Sequence, residues 1–470
     1  MKKLIQSFCL LSALATFSSF AETSSERTPH GRSYFSDEKI PFLYANKEDD
    51  PGRTAPFFGL ELGDKFLGNG NLAPGFTIPT GAVWQPRLWI YGNSRTAIQS
   101  YDLGGNQKRV SEWATRLDLF ANLQLTGTER ILLGLQPLHR GNQFYGHQFS
   151  PDSQSDFRNP TNLNIRTLFF EGDFAEVFPF LDRTDGTTND IGFSFGRQNL
   201  VFQDGLILND SIDAIGLTKN NIRFDSLSWL TNLRITTLVG LNEVNRNDNV
   251  DDDSAKLYGI FTATDTLKST IEADVIYVDG DDSTTADLLV WGLGNIQRLG
   301  HYNWTMRYAG SAALDRETAQ SSDGHLLFTE ISWTPHATVD LVYLNGFVGI
   351  DDFSSAARDD IAGGPLGRTG LLFAARGLGS YPAPLSNRAS NAFGAAMGYQ
   401  MFFFNNRHHL IGEVGYRRAT EKPNTDLAGA AVQYQMSFAK RYIFQVDAFV
   451  TAQENDKPAN GLRTEFQIKF

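Results

Sequence analysis

Cysteine is nearly absent from this sequence of 470 residues, and the single one, Cys9, lies within the first 21 residues. Disulfide bonds and thiolate metal sites are therefore excluded for the remainder of the chain. Long apolar runs are also missing, because nothing after residue 21 approaches the roughly 18 apolar residues of a membrane-spanning helix. Nucleic acid is not expected as a partner, since 41 Lys and Arg stand against 53 Asp and Glu.

The first residues form the pattern of a secretory signal. Lys2 and Lys3 precede an apolar run that ends near Phe20, and the small residue Ala21 closes it. We therefore predict that residues 1–21 are a signal peptide and that the rest of the chain is exported.

Aromatic residues are abundant, with 36 Phe, 15 Tyr and 7 Trp, although the mean hydropathy is only -0.28. Strands that are apolar on one face produce this combination. Residues 461–470 show the pattern most clearly, because Leu462 and Phe466 share one face whereas Arg463 and Glu465 share the other. The same alternation recurs in residues 111–126, 301–310 and 441–451.

The connections between these segments are alternately short and long. Short breaks fall near residues 439–440, 405–406, 335–336, 299–300, 266–267 and 126–128. Long polar connections lie at residues 455–460, 420–426, 349–389, 314–323, 279–285, 242–254, 139–162 and 102–112. Outer-membrane barrels have short periplasmic turns and long external loops. A β-sandwich also alternates, but segments of about ten residues are long for one and suit a tilted strand that crosses a bilayer.

The sequence therefore predicts an all-β protein, a transmembrane antiparallel β-barrel of about 18 strands with short periplasmic turns and long extracellular loops. The barrel is expected at residues 83–470, with long loops at 139–162 and 349–389. Residues 22–82, which have no sustained period, are expected to lie in the periplasm or in the lumen. Aromatic side chains near the short breaks predict a periplasmic girdle of Tyr302, Trp304, Trp333, Phe403, Phe438, Tyr442 and Phe470.

Charged residues of the alternating segments are expected to face the lumen, because charges that face lipid are destabilising. The arginines predicted to line the pore are Arg87, Arg116, Arg130, Arg166, Arg197, Arg234, Arg307, Arg417 and Arg463. The carboxylates predicted to share that face are Asp118, Glu272, Asp274, Asp340, Glu413, Asp447 and Glu465. Guanidinium groups in a pore select anions, but when they pair with carboxylates across strands they brace the wall. Both interpretations remain open at this point.

Two segments are long enough to narrow the pore, residues 22–82 and the loop 349–389. The loop can fold inward and keep positive charge at the opening. Its predicted pore-constricting residues are Arg358, Arg368 and Arg376. The glycine-rich stretch at 363–370 lacks the lysine and spacing of a phosphate-binding loop, and we interpret it as a mobile loop.

Residues 192–196 match G-x-S-x-G, a motif in which Ser194 would be a nucleophile. The mechanism requires a strand-to-helix turn and a downstream histidine, whereas this pentapeptide lies within an alternating segment. An outer-membrane barrel hydrolase, a lipase or esterase that uses Ser194, is therefore the alternative function. It competes with a channel that has no catalytic residue.

Two acidic runs could hold Ca²⁺ through oxygen ligands, although charge runs of this kind are usually solvated loops. They consist of Asp248, Asp251, Asp252 and Asp253, and of Asp279, Asp281 and Asp282. We predict no metal site and no cofactor.

Residues 195–205 read FGRQNLVFQDG, with an Asp204-Gly205 turn on a barrel hairpin. This stretch resembles the alginate-export family of outer-membrane porins. Residues 111–138 (SEWATRLDLFANLQLTGTERILLGLQPL) are similar to the early hairpin of that family. The resemblance implies an 18-stranded porin with an arginine-rich lumen, through which an anionic polysaccharide leaves the cell.

These observations predict a non-enzymatic porin in the outer membrane of a Gram-negative bacterium. It would allow passive passage of a hydrophilic, anionic solute, small or polymeric, which includes polysaccharide export. The expected partners are outer-membrane lipid, lipopolysaccharide and the barrel-assembly machinery, which would recognise the strand ending at Phe470.

Overall fold

The computed structural model describes residues 58–66, 71–181, 191–247, 250–252, 254–280, 286–404, 406–421, 425–438, 441–453 and 457–470. No helix among these residues is long and apolar enough to cross a membrane.

One antiparallel sheet of 18 strands dominates the structure. Its strands, β1 to β18 in chain order, are Arg87–Asp102, Val110–Gln124, Arg130–Leu135, Ile165–Asp173, Ile191–Phe202, Leu208–Ile222, Leu230–Asn242, Lys256–Thr266, Ser269–Asp279, Leu288–Leu299, Tyr302–Ala313, Gly324–Trp333, Leu341–Asp351, Ala392–Phe403, His408–Ala419, Asp426–Phe438, Tyr442–Gln453 and Ala459–Lys469. Each strand pairs with the next, and β18 pairs with β1 from Asn460↔Asp102 to Lys469↔Asn93. The sheet is therefore closed, and the predicted barrel is confirmed.

Shorter elements lie in the connections. The short strands are Leu60–Leu62, Phe76–Thr77, Val83–Trp84, His139–Arg140, Gln143–Ser150, Asp156–Arg158, Val244–Arg246, Val250–Asp252 and Ala357–Arg358. The helical turns are the α-helix Phe174–Val177 and the 3₁₀ turns Asp152–Gln154, Pro179–Leu181 and Gln203–Gly205.

The two faces of the wall differ in the way that the alternating sequence predicts. In β18, Leu462 is 55% exposed on the outward face, whereas Arg463 and Glu465 are fully buried on the inward face. Directly opposed residues on paired strands point to the same side of a sheet. The register thus continues the inward row from Arg463 to Asp447 of β17 and to Gln99 of β1. We call all residues on the inward rows the inner wall.

The connections divide the barrel into two ends. At one end most connections are short, such as 267–268, 300–301 and 439–441, and we call it the short-turn end. The connection 174–190 is an exception there, because it is long and begins with the helix Phe174–Val177. The opposite end carries the long connections, among them 136–164, 243–255 and 352–391, and we call it the long-loop end.

Aromatic side chains face outward near both ends. At the short-turn end, the ring centroids of Tyr302 and Trp333 are 5.6 Å apart, and those of Phe438 and Tyr442 are also 5.6 Å apart. A second ring of outward side chains lies nearer the long-loop end and contains Tyr258, Tyr277, Trp291, Tyr308 and His325. Between these rings the outward side chains are mainly aliphatic. Two aromatic girdles around an apolar band are typical of a membrane barrel.

The segment before β1 and the C-terminal residue Phe470 both bond to the same edge of β1. Its short strand Leu60–Leu62 pairs with residues 88–90 of β1, at the short-turn end. Phe470 exchanges backbone hydrogen bonds with Gly92 on the same strand. The described part of the segment therefore covers the edge of β1 that β18 leaves unpaired.

A charged side chain on the outward face should lower the stability of the barrel in lipid. Leu293, which is 53% exposed in the outward row of β10, is changed to Arg, and Ile296 of the same strand, on the inward row, is changed to Arg as the control. A charge in the apolar band destabilises a barrel by about 2–4 kcal/mol. Urea unfolding in phospholipid vesicles should show this loss for Leu293→Arg and little change for Ile296→Arg. Equal losses would contradict the assignment of faces.

Candidate functional site

The longest connection, residues 352–391, turns into the barrel, and we call it the inner loop. Leu366, Leu372 and Leu385 are fully buried in an apolar core that the loop shares with the inner wall, and Leu378 is fully buried in a second, smaller cluster. Burial of a leucine contributes about 1.5–3 kcal/mol relative to exposure. The folded loop is therefore a packed element. The glycine-rich stretch that we expected to be mobile belongs to this packed part.

Glu413 of the inner wall binds the backbone of the inner loop. Its two carboxylate oxygens accept hydrogen bonds of 2.8 Å from the backbone N–H groups of Leu371 and Leu372. The Tyr343 hydroxyl also donates to this carboxylate. Gly370 has a φ of +53°, and a Cβ at this position would collide with the carboxylate. The glycine thus permits the close approach of loop and wall.

Glu112 forms a second contact of the same type. One of its carboxylate oxygens accepts from the backbone N–H of Ser380 at 2.5 Å and from its hydroxyl at 2.6 Å. The Gln99 amide donates to the same oxygen at 2.6 Å. Gly379, with a φ of +67°, lies beside this group. Backbone N–H groups thus take the place of water around two buried carboxylates.

Arginines of the inner wall donate to backbone carbonyls of the inner loop. Arg95 donates to the carbonyl of Arg376 at 3.2 Å, and Arg116 donates to that of Gly377 at 3.1 Å. Arg417 donates to the carbonyl of Arg388, and its guanidinium lies 5.6 Å from the ring centroid of Phe347. The wall therefore holds the loop through both its acids and its bases. These three contacts are spread along the loop from 376 to 388.

A charged network lies where the barrel closes. Fully buried Arg463 pairs with Asp447 at 3.0 Å and with Glu465. Arg95 of β1 pairs with Glu465 at 2.6 Å, and Arg376 of the inner loop lies 3.4 Å from Asp447. Removal of one partner from a buried pair typically costs about 3–5 kcal/mol. These side chains brace β17, β18, β1 and the loop.

The connection 203–207 also folds into the lumen, and we call it the inner turn. Gln203, Asp204 and Gly205 have φ values of 51°, 53° and 84°, so three successive residues are left-handed. Asp204 pairs with Arg307 at 2.6 Å, and the Gln203 amide donates to Asp274 at 2.7 Å. This Asp-Gly turn is one part of the stretch 195–205 that resembles the alginate-export family. Its acid is aimed at the lumen.

The inner turn and the inner loop form one unit. Leu208 and Asn209 run parallel to the short strand Ala357–Arg358. The Arg358 guanidinium donates to the carbonyls of Gly205 at 2.6 Å and Leu206 at 3.1 Å. The loop is thus fixed at its start by the turn and further along by the wall.

A second long connection, residues 136–164, contacts the inner loop as well. Its Phe144 packs in a small buried cluster with Leu378 of the inner loop and with Ala97 and Ala114 of the wall. His139 of the same connection is buried, and its pKa is lowered to about 3 by burial and by the nearby Arg116 and Arg166. His139 is therefore neutral at physiological pH and adds no charge to the lumen.

Most arginines predicted to line the pore have inward positions. The inward rows contain Arg87, Arg116, Arg130, Arg234, Arg307, Arg417 and Arg463. Arg166 lies at a register shift in β4 and reaches Asp359 of the inner loop. Several are held by carboxylates, because Arg116 pairs with Asp118, Arg130 with Glu171, and Arg307 with Glu272. Whether any of them acts on a solute stays a prediction.

Arg197 is a correction to the predicted pore lining. It lies in the outward row of β5 with Phe195, and it pairs with Asp213 and Glu243, both at 2.8 Å. Arg197 lies two residues after Phe195 and four after Phe193, so its side chain points outward with theirs. The two carboxylates on the neighbouring strand and loop allow a charge to remain on the outer surface.

Asp340 is a second correction, because its carboxylate lies at the short-turn end rather than on the inner wall. It accepts hydrogen bonds from the Tyr399 hydroxyl at 2.6 Å and from the backbone N–H of Phe402 at 3.0 Å. It precedes β13, so the alternation of that strand does not apply to it.

Four of the predicted arginines have no carboxylate within 4.0 Å among the described residues, and they are Arg87, Arg234, Arg368 and Arg417. Arg368 and Arg234 are exposed, and Arg87 is half-buried beside Trp89. Arg368 belongs to the inner loop and lies beside Gly205 of the inner turn. It therefore carries an accessible positive charge where both inward elements meet.

The hydrolase alternative receives no support from the geometry at Ser194. This serine lies on the inner wall opposite Glu171 and Gly216. No hydrogen bond from a histidine to Ser194 occurs in the described part of the chain, and β5 continues through the motif without a helix. A nucleophilic serine would need both an adjacent base and a sharp turn.

Sequence reasoning missed several residues that hold the inner loop, above all Arg95 and Glu112. Alternation alone could have placed both, because Arg95 shares its row with Arg87 and Glu112 shares its row with Arg116.

No group of three His, Cys, Asp or Glu that could hold a metal occurs in the ranges that the structure describes. Much of both acidic runs, including Asp248, Asp253, Asp281 and Asp282, lies outside those ranges.

No protein-family model and no curated protein matches the sequence. The fold is similar to solved outer-membrane porins. A BenF-like porin from Pseudomonas fluorescens aligns with a TM-score of 0.53 and 11% identity, covering 82% of this chain and 99% of that one. OccK2 (OpdF) of Pseudomonas aeruginosa, solved in complex with glucuronate, aligns at 0.52 and 13% identity, covering 82% and 98%. OccK9 (OpdG) of the same species aligns at 0.51 and 12%, with the same coverage.

These similarities define the class of fold, a closed barrel of 18 antiparallel strands like that of outer-membrane porins. The neighbours are porins rather than a particular exporter, so the resemblance to the alginate-export family is not confirmed and stays a prediction.

The contact at Glu413 should keep the inner loop from proteases. Glu413→Ala removes two charge-assisted hydrogen bonds, each worth about 1.5–3 kcal/mol, and should release the loop around Arg368 and Arg376. Trypsin added to the folded barrel should then cut at these arginines. Glu171→Ala, which removes an inner-wall carboxylate paired only with Arg130 in the described contacts, is the control. Equal resistance of the two variants would show that Glu413 does not hold the loop.

Proposed function

We propose that the protein is an outer-membrane channel for small, hydrophilic, anionic solutes. The observation that carries this proposal is a closed barrel whose polar inner wall is narrowed by two inward elements, the inner loop and the inner turn. A barrel of this size encloses an aqueous lumen unless something fills it. Here the filling is a loop held at one end of the barrel.

The outward face supports a place in the outer membrane. An apolar band between two aromatic girdles matches the hydrocarbon layer and its two interfaces. The long-loop end would then face the exterior and the short-turn end the periplasm, and the partners would include outer-membrane lipid and lipopolysaccharide. The apolar outward position of Phe470 on the last strand supports recognition by the barrel-assembly machinery.

The free arginines support an anionic solute. Arg368 lies beside the inner turn, whereas Arg87 and Arg234 stand on the inner wall without a carboxylate partner among the described residues. Charges of a narrow passage set its ion selectivity, and paired charges contribute little to that field. OccK2, which has a similar fold, was solved with glucuronate, a small sugar acid.

A small solute agrees better with the packed loop than a polymer does. A polysaccharide would require buried side chains of the loop, such as Leu372 and Leu378, to leave their apolar surroundings, at a cost of several kcal/mol. A small solute needs only a gap beside the loop. Polysaccharide export therefore takes second place to passage of small solutes.

Shortening the inner loop should widen the passage. Residues 366–380, which carry the contacts to Glu413 and Glu112, are replaced by a short Gly-Ser linker, while the pairing of Ala357–Arg358 is kept. Single-channel conductance in planar bilayers should rise several-fold because conductance follows the open cross-section. Shortening of the connection 103–109, which belongs to the same end, is the control. An unchanged conductance would mean that this loop does not limit the passage.

Arg368, which lies where the inner loop meets the inner turn, should set the ion selectivity of the passage. Arg368→Ser should lower the chloride-to-potassium permeability ratio by about twofold, because it removes an accessible charge from a narrow passage. Arg197→Ser removes an arginine from the outer surface and is the matched control, for which no change is expected. Reversal potentials under a salt gradient measure both. An identical shift in the two variants would contradict the anion-selective constriction.

A further inference from the structure

A polar cavity of about 300 Å³ lies among the connections of the long-loop end, and we call it the outer cavity. Asn247, Thr318 and Ser322 line it from two neighbouring connections. The two limbs of the inner loop close it, with Asp352 and Arg358 on one limb and Asn387 and Arg388 on the other. Ligand sites range from about 300 to 1,000 Å³, so this cavity suits one small molecule.

The walls of the outer cavity are fixed before any ligand arrives. Arg358 is 1% exposed and donates to the Ser355 hydroxyl at 2.8 Å and to the Gly364 carbonyl at 3.1 Å. The side-chain oxygen of Asn387 accepts from the backbone N–H of Gly364 at 3.0 Å. The Ser322 hydroxyl lies 2.7 Å from that of Ser354. Preorganised polar groups lower the entropy cost of binding.

The chemistry of the lining indicates the class of ligand. Amide and hydroxyl side chains both donate and accept, and so match several hydroxyl groups at once. Buried Phe353 and Pro365 add an apolar surface. The charged side chains of the lining are two arginines, Arg358 and Arg388, and one carboxylate, Asp352. Burial lowers the pKa of Arg358 to about 10, and Asp210 opposes this effect, so the group stays charged at neutral pH.

We propose that the outer cavity is a capture site that binds one polyhydroxylated molecule with a single negative charge, a sugar acid, before it enters the constriction. The cavity is made of loops rather than of inner wall, so it is separate from the selectivity charges of the passage. The inference rests on the proposed channel function in naming a free solute as the occupant. It adds a site where the solute is bound on the outer side.

The test uses the full-length protein in detergent and in planar bilayers. Calorimetric titration with glucuronate should detect binding to the wild-type protein. Glucose, which lacks the charge, should bind about tenfold more weakly, since a charge-assisted hydrogen bond is worth more than about 1.4 kcal/mol. Arg388→Ser should weaken glucuronate binding by about tenfold. The control Arg109→Ser, which removes an exposed arginine at the same end but away from the cavity, should leave it unchanged.

A steric variant separates the site from general charge effects. Ala319→Trp fills the cavity without a change of charge and should abolish glucuronate binding. In bilayers, glucuronate added on the long-loop side should modulate the current at lower concentration than when it is added on the other side. Unchanged affinity in both Arg388→Ser and Ala319→Trp would overturn the capture site. If the protein conducts anions, the channel function stands whether or not the capture site does. If glucuronate binds but no current flows, the capture site stands and only the channel function is contradicted.

Discussion

Closure of the sheet, through the register of β18 with β1, is the constraint from which the other features follow. A barrel in lipid has no water to satisfy an open edge, so its backbone hydrogen bonds must be completed within the ring. Once the ring is closed, each strand has one row toward lipid and one toward the lumen. Every charge of the strands must then either face inward or, like Arg197, bring its own carboxylates to the surface. The lumen of this protein is crowded with charge for that reason, and the crowding requires partners.

The inner loop supplies many of those partners. Its backbone N–H groups bind Glu413 and Glu112, its carbonyls accept from Arg95, Arg116 and Arg417, and its Arg376 approaches Asp447. A purely apolar plug would leave these groups desolvated and unpaired, which is costly. A purely polar loop would have no core to hold it in one conformation. The loop combines an apolar centre with a backbone turned toward the wall, so the packing and the electrostatics of the lumen support each other.

The sequence predicts the barrel well because alternation can be read from neighbouring residues, and every strand of a closed sheet has one lipid-facing and one lumen-facing row. Period two places most inward arginines, and the alternation of short and long connections gives the strand number and the two ends. The direction of Arg197 also followed from its neighbours Phe193 and Phe195, and the residue was misplaced because charge was weighed above parity. What alternation cannot predict is which long connection folds inward, because that depends on contacts between residues far apart in the chain. The glycines at 370 and 379 are a local sign of the inward fold, since each permits a wall carboxylate to contact the loop backbone.

The pairing of the loop backbone with Glu413 and Glu112 has a consequence for gating. The N–H groups of residues 371, 372 and 380 act as a fixed solvation shell, so any outward motion of the loop has to rehydrate two carboxylates. Opening would expose these two carboxylates together with Arg95, Arg116 and Arg417, so the local potential would change along with the width of the passage. A solute that favours the closed arrangement and one that passes the open arrangement would then differ in charge. In this barrel the degree of opening and the preferred charge are coupled variables.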